Sequence, residues 1–575
     1  MTSASPERHF DPITFQVLWS RTVTIADEIA ATLVKTAFSH VVRDNHDYAC
    51  AIYDAEGRML AQANQCTPGQ LGCMPRFVKD VLQAYPAETL RPGDVLITND
   101  PWLGSGHTPD IYIATPVFKG RKLVGFAANS AHHIDIGGRM SSPESREVYE
   151  EGLILPLCKL YNAGQPNDDI FRIVRRNVRM EDKVIGDLRA QLAANHMGAA
   201  RMLALLEEAG LGSFESLAAD IIAHSEAAMR QAIAEVPRGV YTHEMDHEDT
   251  DREGRPLKVK VRVEVRGDEI HVDYTGSSPQ VSIPINSVYN ITYAYTVFPI
   301  KSALHPHLPN NEGCARPVRV TAPEGSIFNA TFPAPVMWRT SLVYHAVEAI
   351  FGALAQAIPE RVMAPSGTYP LWLGIFAGKY DDGRDYMVHF NAQGGQGGMH
   401  HRDGIGTTIF PGNVANTPVE FLETETPLVC ERKALVADSG GPGRYRGGVG
   451  QEVVIRNRSS QPAVCSMIGG RLHEGPVGLN GGAAGGTGMI RIGDDPPLER
   501  SRQLVLEPRQ TLHLRYPGGG GFGDPFERDP ALVAADVRRG LVSPEQARSA
   551  YGVDVGPDGR GWDEGETMRL RSRRG

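Results

Sequence analysis

The sequence predicts an α+β fold, with helices and β-hairpins mixed in the N-terminal half and short strands in a glycine-rich C-terminal half. Three observations support this fold class: long helical periods before residue 240, paired apolar runs around short turns, and 62 glycines and 40 prolines, most of them beyond residue 270. This glycine content is too high for a helical bundle and favours short strands and tight turns. Because 575 residues normally form more than one core, we expect two domains, residues 1–238 and 239–575.

The N-terminal elements follow from periodicity and from capping residues. A helix is predicted over Asp11–His40, where Asp11 can cap the first turn and Pro12 suits its first position. Strand-like alternation then predicts a hairpin, followed by a short helix and a buried strand. These elements cover Asp47–Tyr53 and Arg58–Ala63, Phe77–Tyr85, and Asp94–Thr98.

The later elements are predicted in the same way. Helical periods indicate four further helices, and strict alternation around an Arg-Gly-Asp-Glu turn indicates another hairpin. The helices are Asp168–Ala209, Phe214–Val236, Leu342–Pro359 and Ala531–Arg539, and the hairpin strands are Lys258–Val265 and Ile270–Tyr274.

One predicted hairpin brings histidine and aspartate side chains together. Apolar runs at Ile111–Phe118 and Lys122–Ala128 flank a short turn near Gly120. An antiparallel hairpin places the residue before its first strand opposite the residue after its second. We therefore expect Asp110 to lie beside His132.

Imidazole and carboxylate groups that converge on one point suit a divalent metal ion such as zinc, manganese or iron. His107, three residues before Asp110 in a glycine-rich loop, is a further candidate ligand. Such an ion would lower the pKa of water bound at an open position and so activate it for attack. The residues alone leave a structural interpretation open, in which His-Thr-Pro-Asp forms a turn held by the Asp110 side chain.

Neighbouring residues are candidates for supporting or catalytic roles. Strand alternation points His132 and His133 to opposite faces, so only one of them should face the ion. Asp135 is close enough in sequence to orient a ligand imidazole. Glu150 and Glu151 are candidates for a general base, with surface charge the alternative for at least one of them.

Composition excludes several classes of function. The net charge of −10, without a basic stripe, argues against a nucleic-acid partner. The nearest candidate for a membrane span, Val343–Ile358, is interrupted by His345 and Glu348, so we expect no membrane association.

The first residues, MTSASPERHF, lack an apolar signal, and seven scattered cysteines without a CxxC pair indicate reduced thiols in the cytoplasm. The Gly-rich segment Pro517–Gly523 lacks the Lys-Ser/Thr ending of a phosphate loop, so no ATP site is predicted in this chain.

Long motifs in a fixed order resemble the hydantoinase B/oxoprolinase family over about residues 11–555. The residues that carry the resemblance include DNHDYACAIYD, RPGDVLITNDPWLGSGHTPDIYIATPVF, NSAHHIDIGG, EEGLILPLCKLY, VRMEDKVIGDLRAQLAAN, DSGGPGRYRGGVG and PGGGGFGDPFERDP. The resemblance implies a metal-binding component of an ATP-dependent enzyme that opens lactams or hydantoins, or the related subunit of a ketone carboxylase.

The resemblance also implies a ligand set and a partner. Matched positions give Asp47, His107, Asp110 and His132 as metal ligands, and Asp47 comes from the resemblance alone. Arg43-Asp44-Asn45-His46 departs from the family pattern, which puts substrate contacts there in question. A separate hydantoinase A-like ATPase subunit would phosphorylate the substrate, so ATP is used by the partner and the assembly is a hetero-oligomer.

We therefore expect a metal-dependent catalytic subunit of a cyclic amidohydrolase acting on 5-oxoproline, a hydantoin or another lactam. Two alternatives stay open at this point. The chain could belong to an acetone- or acetophenone-type carboxylase acting on a ketone, or it could be a non-catalytic scaffold for the ATPase subunit.

Overall fold

The structure is a computed structural model that describes residues 9–139 and 141–572. Residues 1–8, part of the segment in which the sequence shows no signal, lie outside the described residues. The chain forms two compact units that alternate along it: the first contains Met1–Met245, Lys258–Arg339 and Gly412–Val414, and the second contains Asp246–Leu257, Thr340–Pro411 and Ala415–Gly575. These units do not correspond one to one to the segments 1–238 and 239–575, and that boundary stays a prediction.

Helices and several small sheets alternate along the described residues, which confirms the predicted α+β class. The helices are α1 (Pro12–Thr36), α2 (His40–Arg43), α3 (Pro68–Ala84), α4 (Asp168–Asn177), α5 (Glu181–Glu208), α6 (Glu215–Ala234), α7 (Tyr289–Leu304), α8 (Glu312–Ala315), α9 (Arg339–Leu354), α10 (Val419–Glu425), α11 (Pro530–Arg538), α12 (Pro544–Tyr551) and α13 (Glu564–Ser572). In the described part of the chain, no helix has the length and apolar character that crossing a membrane requires.

The strands are mostly short. They are β1 (Tyr48–Asp54), β2 (Met59–Gln62), β3 (Val95–Thr98), β4 (Asp110–Lys119), β5 (Lys122–His132), β6 (Cys158–Asn162), β7 (Gln165–Pro166), β8 (Gly239–Thr250), β9 (Pro256–Arg266), β10 (Glu269–Asp273), β11 (Val318–Thr321), β12 (Leu373–Lys379), β13 (Asp385–Phe390), β14 (Leu428–Leu435), β15 (Gln451–Asn457), β16 (Ala463–Ile468), β17 (Met489–Ile492), β18 (Gln503–Leu506), β19 (Thr511–Arg515), β20 (Asp554–Val555) and β21 (Trp562–Asp563).

The first unit is built on a seven-stranded antiparallel sheet with the order β2-β1-β5-β4-β3-β6-β7. Helices α1, α3 and α5 pack against this sheet. α1 begins where its cap predicts, because the carboxylate of Asp11 accepts hydrogen bonds from the amides of Ile13 and Thr14. On the side of α5, Asn195 donates a hydrogen bond to the carbonyl of Ile113 at 3.1 Å. The β4–β5 hairpin therefore lies at the centre of a buried sheet.

The single helix predicted over Asp168–Ala209 is wrong, because the chain forms α4 and α5 with a break between them. At the break, the backbone amides of Arg179 and Met180 donate to the carboxylate of Asp135. This carboxylate replaces helical carbonyls as the acceptor, so the helix is interrupted. Apolar periodicity carries no mark of such a distant acceptor.

The second unit contains two four-stranded sheets, ordered β13-β12-β16-β18 and β14-β15-β19-β17. Their apolar side chains share one core that includes Trp372, Phe376, Phe390 and Leu514. The sheets account for the strand-rich character that the composition predicts.

Glycine-rich segments of the second unit pack backbone against backbone. Gly395 donates to the carbonyl of Pro517 at 2.9 Å, and Gly441 donates to that of Gly519 at 2.8 Å. A Cβ atom on Gly518 would lie 1.7 Å from the carbonyl oxygen of Ser439, and one on Gly521 would lie 2.0 Å from that of Pro442. From Gly518 to Gly521, and from Ser439 to Pro442, these contacts advance by three residues, which is the period of a polyproline II helix. Close packing of the backbone explains these glycines.

Candidate metal centre

The β4–β5 hairpin assembles the predicted site. Asp110 is the first residue of β4, His132 is the last residue of β5, and the two are paired in the sheet register. The prediction that this turn brings the two residues together is confirmed. The loop before β4 returns His107 to the same place, and it passes Arg339 so closely that a Cβ on Gly106 would lie 2.9 Å from the Arg339 side chain.

Three side chains converge within the described residues. Each of His107, Asp110 and His132 offers one ligand atom, and these atoms lie within 4.8 Å of one another. His107 Nε2 is 2.8 Å and His132 Nδ1 is 3.0 Å from the same oxygen, Oδ1 of Asp110. All three residues are buried, with exposed fractions of 8% or less. Burial of this kind excludes bulk water and strengthens each electrostatic interaction.

Asp47 lies at the edge of this group. It precedes β1, which pairs with β5, and its carbonyl accepts the backbone hydrogen bond of His132 at 3.0 Å. Its Oδ2 lies 3.8 Å from His132 Nδ1. The preceding residue, His46, has a φ of +58°, an uncommon conformation outside glycine that helps to turn the chain at this point. The residue that came from the family resemblance alone is thus next to the other three.

Three residues that the sequence analysis missed also line the site. Ser105 donates from Oγ to Asp110 Oδ2. The other two are Arg339 and Gln70. Arg339 Nη2 donates to Asp110 Oδ2 at 3.0 Å, and Nη1 lies 2.7 Å from His107 Nδ1. Gln70 Nε2 lies 2.8 Å from Asp47 Oδ1 and 3.4 Å from Asp110 Oδ1. Both reach the site from helices distant in sequence, so no local motif could have found them.

The environment sets the charge of each group. Burial, aided by the Arg339 guanidinium, lowers the pKa of His107 to about 3, so this imidazole is neutral. Burial opposes ionisation of Asp110, but the imidazoles and the guanidinium around it hold its pKa well below the usual value. Burial and the charge of Asp110 contribute to raising the pKa of Asp47 to about 6. Burial also disfavours the charged form of His132, yet its hydrogen bond to Asp110 and the charge of Asp47 raise its pKa.

The residues fit a divalent cation. His107 Nε2 is buried and has no partner with hydrogen-bond geometry among the described residues, although Asp110 is close. Arg339 Nη1 can only donate, so in this structure His107 Nδ1 is its acceptor at 2.7 Å. In the tautomer that leaves Nε2 for a cation, Nδ1 would instead carry the ring hydrogen, and the carbonyl of Met337, 3.4 Å away, would be its acceptor. Two imidazoles and two carboxylates form a donor set suited to zinc, manganese or iron.

The other predicted residues have different partners. His132 faces the group, and His133 turns away to Gln191 Oε1 at 3.0 Å, as strand alternation predicts. Asp135 accepts hydrogen bonds from the backbone amides of Gly137 and Met180 at 2.9 and 3.4 Å, so it anchors backbone and does not orient an imidazole in this structure. Its catalytic role stays a prediction.

Glu150 and Glu151 differ in burial. Glu150 pairs with Arg139 at 2.8 Å and is partly exposed, which agrees with a surface role. Glu151 is 1% exposed and accepts hydrogen bonds from the amides of Val336 and Met337 at 2.9 and 3.0 Å. Burial raises its pKa to about 8. Glu151 thus fixes the segment that leads to Arg339, and its role as a general base stays a prediction.

Comparisons with known proteins find relatives over nearly the whole chain. The model of the family described as Hydantoinase B/oxoprolinase matches residues 11–525. The chain is 31% identical to a putative D-/L-hydantoinase subunit of Pseudomonas sp. (strain NS671), with 98% of each chain covered. The crystal structure of the ATP-dependent caprolactamase from Pseudomonas jessenii superposes with a TM-score of 0.89 at 30% identity, covering 98% of this chain and 100% of the other.

A second solved structure shares the fold. The nucleotide-free acetone carboxylase superposes with a TM-score of 0.87 at 21% identity, covering 99% of this chain and 84% of that one. The family match spans nearly the whole chain, so this protein belongs to the hydantoinase B/oxoprolinase family. Among its relatives are an ATP-dependent caprolactamase and a protein named as one subunit of a hydantoinase.

Proposed function

We propose that this chain is the metal-dependent catalytic subunit of an ATP-dependent cyclic amidohydrolase. The observation that carries the proposal is the buried group of His107, Asp110 and His132 with Asp47 beside it. These four residues would hold one divalent cation, zinc, manganese or iron. When bound, such a cation supplies Lewis-acid stabilisation of negative charge and acidifies water.

The division of labour between two subunits follows from the substrate's chemistry. An amide carbon is a poor electrophile, and phosphorylation of its carbonyl oxygen turns the oxygen into a leaving group. We propose that a hydantoinase A-like ATPase subunit carries out this step with ATP, which is not bound by the present chain. The segment Pro517–Gly523 fits this view, because its glycines are in close contact with neighbouring backbone.

The residues of this chain would then direct the hydrolysis. The four ligands would orient the cation, and the guanidinium of Arg339, 3.0 Å from Asp110 Oδ2, would add positive charge beside it. Water would add to the carbon that bears the phosphorylated oxygen. Collapse of the tetrahedral adduct would break the carbon–nitrogen bond, with a proton passing to the leaving nitrogen, and so open the ring. A second water would then hydrolyse the resulting acyl phosphate to carboxylate and phosphate. Glu151 or Asp135 is the proposed proton acceptor, and Glu151 would serve in this role only in its ionised form, which its pKa of about 8 favours at alkaline pH. The names of the similar hydantoinase and caprolactamase favour a hydantoin or lactam as substrate, and 5-oxoproline belongs to the same class.

The test uses the purified chain together with its ATPase partner in a hetero-oligomer. Metal content is measured first, and ATP turnover and ring opening are then measured across a panel of cyclic amides. We expect one cation per chain, ring opening that needs both ATP and the partner, and loss of both metal and activity in His107→Ala and His132→Ala. His196→Ala, at a histidine on α5 outside the site, is the matched control. Ring opening by this chain without the partner or ATP would contradict the proposal.

Two alternatives give different results in the same assay. A ketone carboxylase subunit, for which the acetone carboxylase structure supplies a shared fold, would need bicarbonate and a ketone in place of a cyclic amide. A non-catalytic scaffold would keep full activity of the complex when His107 or His132 is replaced by alanine.

A further inference from the structure

We propose that Gln70 is a positioning residue that bridges the carboxylates of Asp47 and Asp110 and leaves Oδ2 of Asp47 for the cation. The inference rests on the metal centre proposed above. Gln70 lies outside the ligand set and outside the motifs that carry the family resemblance.

The contacts of Gln70 suit this role. The side chain lies in the first turn of α3 and is 3% exposed. Its Nε2 is 2.8 Å from Asp47 Oδ1 and 3.4 Å from Asp110 Oδ1. A side-chain amide nitrogen carries two hydrogens, so one group can donate to both carboxylates.

A hydroxyl group fixes the orientation of this amide. Ser130, fully buried on β5, donates from Oγ to Gln70 Oε1 at 2.7 Å. Carboxylates only accept hydrogen bonds, so the nitrogen must face Asp47 and Asp110, while the oxygen faces Ser130. The backbone carbonyl of Gln70 also accepts from Tyr112 on β4 at 3.2 Å. Gln70 is thus held by both strands of the hairpin that carries the ligands.

This arrangement gives the two carboxylate oxygens of Asp47 different partners. Oδ1 is engaged by Gln70, whereas Oδ2 lies 3.8 Å from His132 Nδ1 on the side of the other ligands. The partially positive hydrogens of the amide group also lower the repulsion between two neighbouring carboxylates. Gln70 therefore prepares both the position and the charge of the donor set.

The first experiment measures affinity for Zn²⁺ and Mn²⁺ by competition with a chromophoric chelator, in the full-length chain. Gln70→Met preserves the volume and removes both donors, and we expect affinity to fall by about ten- to a hundredfold, as for other residues that support metal ligands. Asn195→Leu is the control, because Asn195 is an equally buried amide that bonds to the backbone of β4 and to Asn129, not to a ligand. We expect it to lower the unfolding midpoint with unchanged cation affinity.

A second measurement separates positioning from general destabilisation. In an Asp47→Ala background, Gln70→Met should weaken binding much less than in the wild-type chain, because its main partner is gone. Equal losses in both backgrounds would overturn the proposal, as would unchanged affinity in Gln70→Met. If Gln70→Met does not fold, Ser130→Ala decides: a freely rotating amide should weaken binding, and unchanged affinity would refute the inference.

Failure of the proposed function gives a different pattern. A complex that binds the cation normally but opens no cyclic amide would contradict the amidohydrolase proposal and leave the Gln70 result intact. A wild-type chain without cation affinity would overturn the role of Gln70.

Discussion

The buried pair of Asp110 and Arg339 predicts a compensating double substitution. Asp110→Asn leaves the Arg339 guanidinium buried without its anion, and Arg339→Met leaves the Asp110 carboxylate without its cation. We expect each single variant to be less stable than the wild-type chain. The double variant should recover much of that loss, because no uncompensated charge remains at this position.

The magnitude follows from the geometry. Arg339 Nη2 and Asp110 Oδ2 are 3.0 Å apart, with 5% and 1% of the two side chains exposed. At an effective dielectric constant of about 20, two unit charges at this distance attract each other by about 5–6 kcal/mol. Breaking such a pair typically costs about 3–5 kcal/mol, because part of the attraction only offsets desolvation. A coupling free energy of about 2–3 kcal/mol is therefore expected.

Urea unfolding of the four proteins in the double-mutant cycle measures this coupling. A chelator is included so that a bound cation does not add to the stability of some variants and not of others. Additive losses, with the double variant destabilised by the sum of the two single losses, would show that the two charges do not compensate each other. Recovery of stability should not restore cation binding, because Asp110 is itself a proposed ligand.

Two further predictions test packing and protonation. Gly518→Ala places a Cβ 1.7 Å from the Ser439 carbonyl oxygen and should destabilise the chain by about 3 kcal/mol or more. Gly561→Ala, where the added Cβ meets no atom within 4 Å, should be nearly neutral. Thermal unfolding compares the two variants, and equal midpoints would contradict the packing explanation. The pKa of Glu151, raised by burial to about 8, means that the folded chain holds a proton that the unfolded chain releases near the ordinary value. This group therefore makes stability fall as pH rises from about 4.5 to about 8. Glu151→Gln should remove that slope in unfolding measured across this range, and an unchanged slope would assign it to other groups.

Local patterns predicted the parts of the fold that depend on short-range chemistry. The cap at Asp11 and the β4–β5 hairpin were found because each signal lies within a few residues. α3 begins at Pro68. The sequence predicts its start only at Phe77, because the glycines and prolines between these two positions are typical of loops. Gly69 and Gly72 instead allow α7 to pack closely against α3, because a Cβ on Gly72 would lie 2.4 Å from Ala294. The need for glycine here comes from a helix distant in sequence, which local patterns do not show.

The candidate site likewise contains some residues that the sequence could predict and others that it could not. The sheet register links Asp110 to His132, and alternation separates His132 from His133, so both could be predicted from sequence. Arg339 and Gln70 could not, because only tertiary packing brings these two side chains to the hairpin. A buried arginine has no sequence signature until its carboxylate partner is known.

Anomalous diffraction from crystals soaked with Zn²⁺ or Mn²⁺ tests the metal centre most directly. We expect one strong peak enclosed by Asp47, His107, Asp110 and His132, and its loss in crystals of His132→Ala. A peak elsewhere, or a cation that stays in place after this substitution, would contradict the assignment of these four ligands.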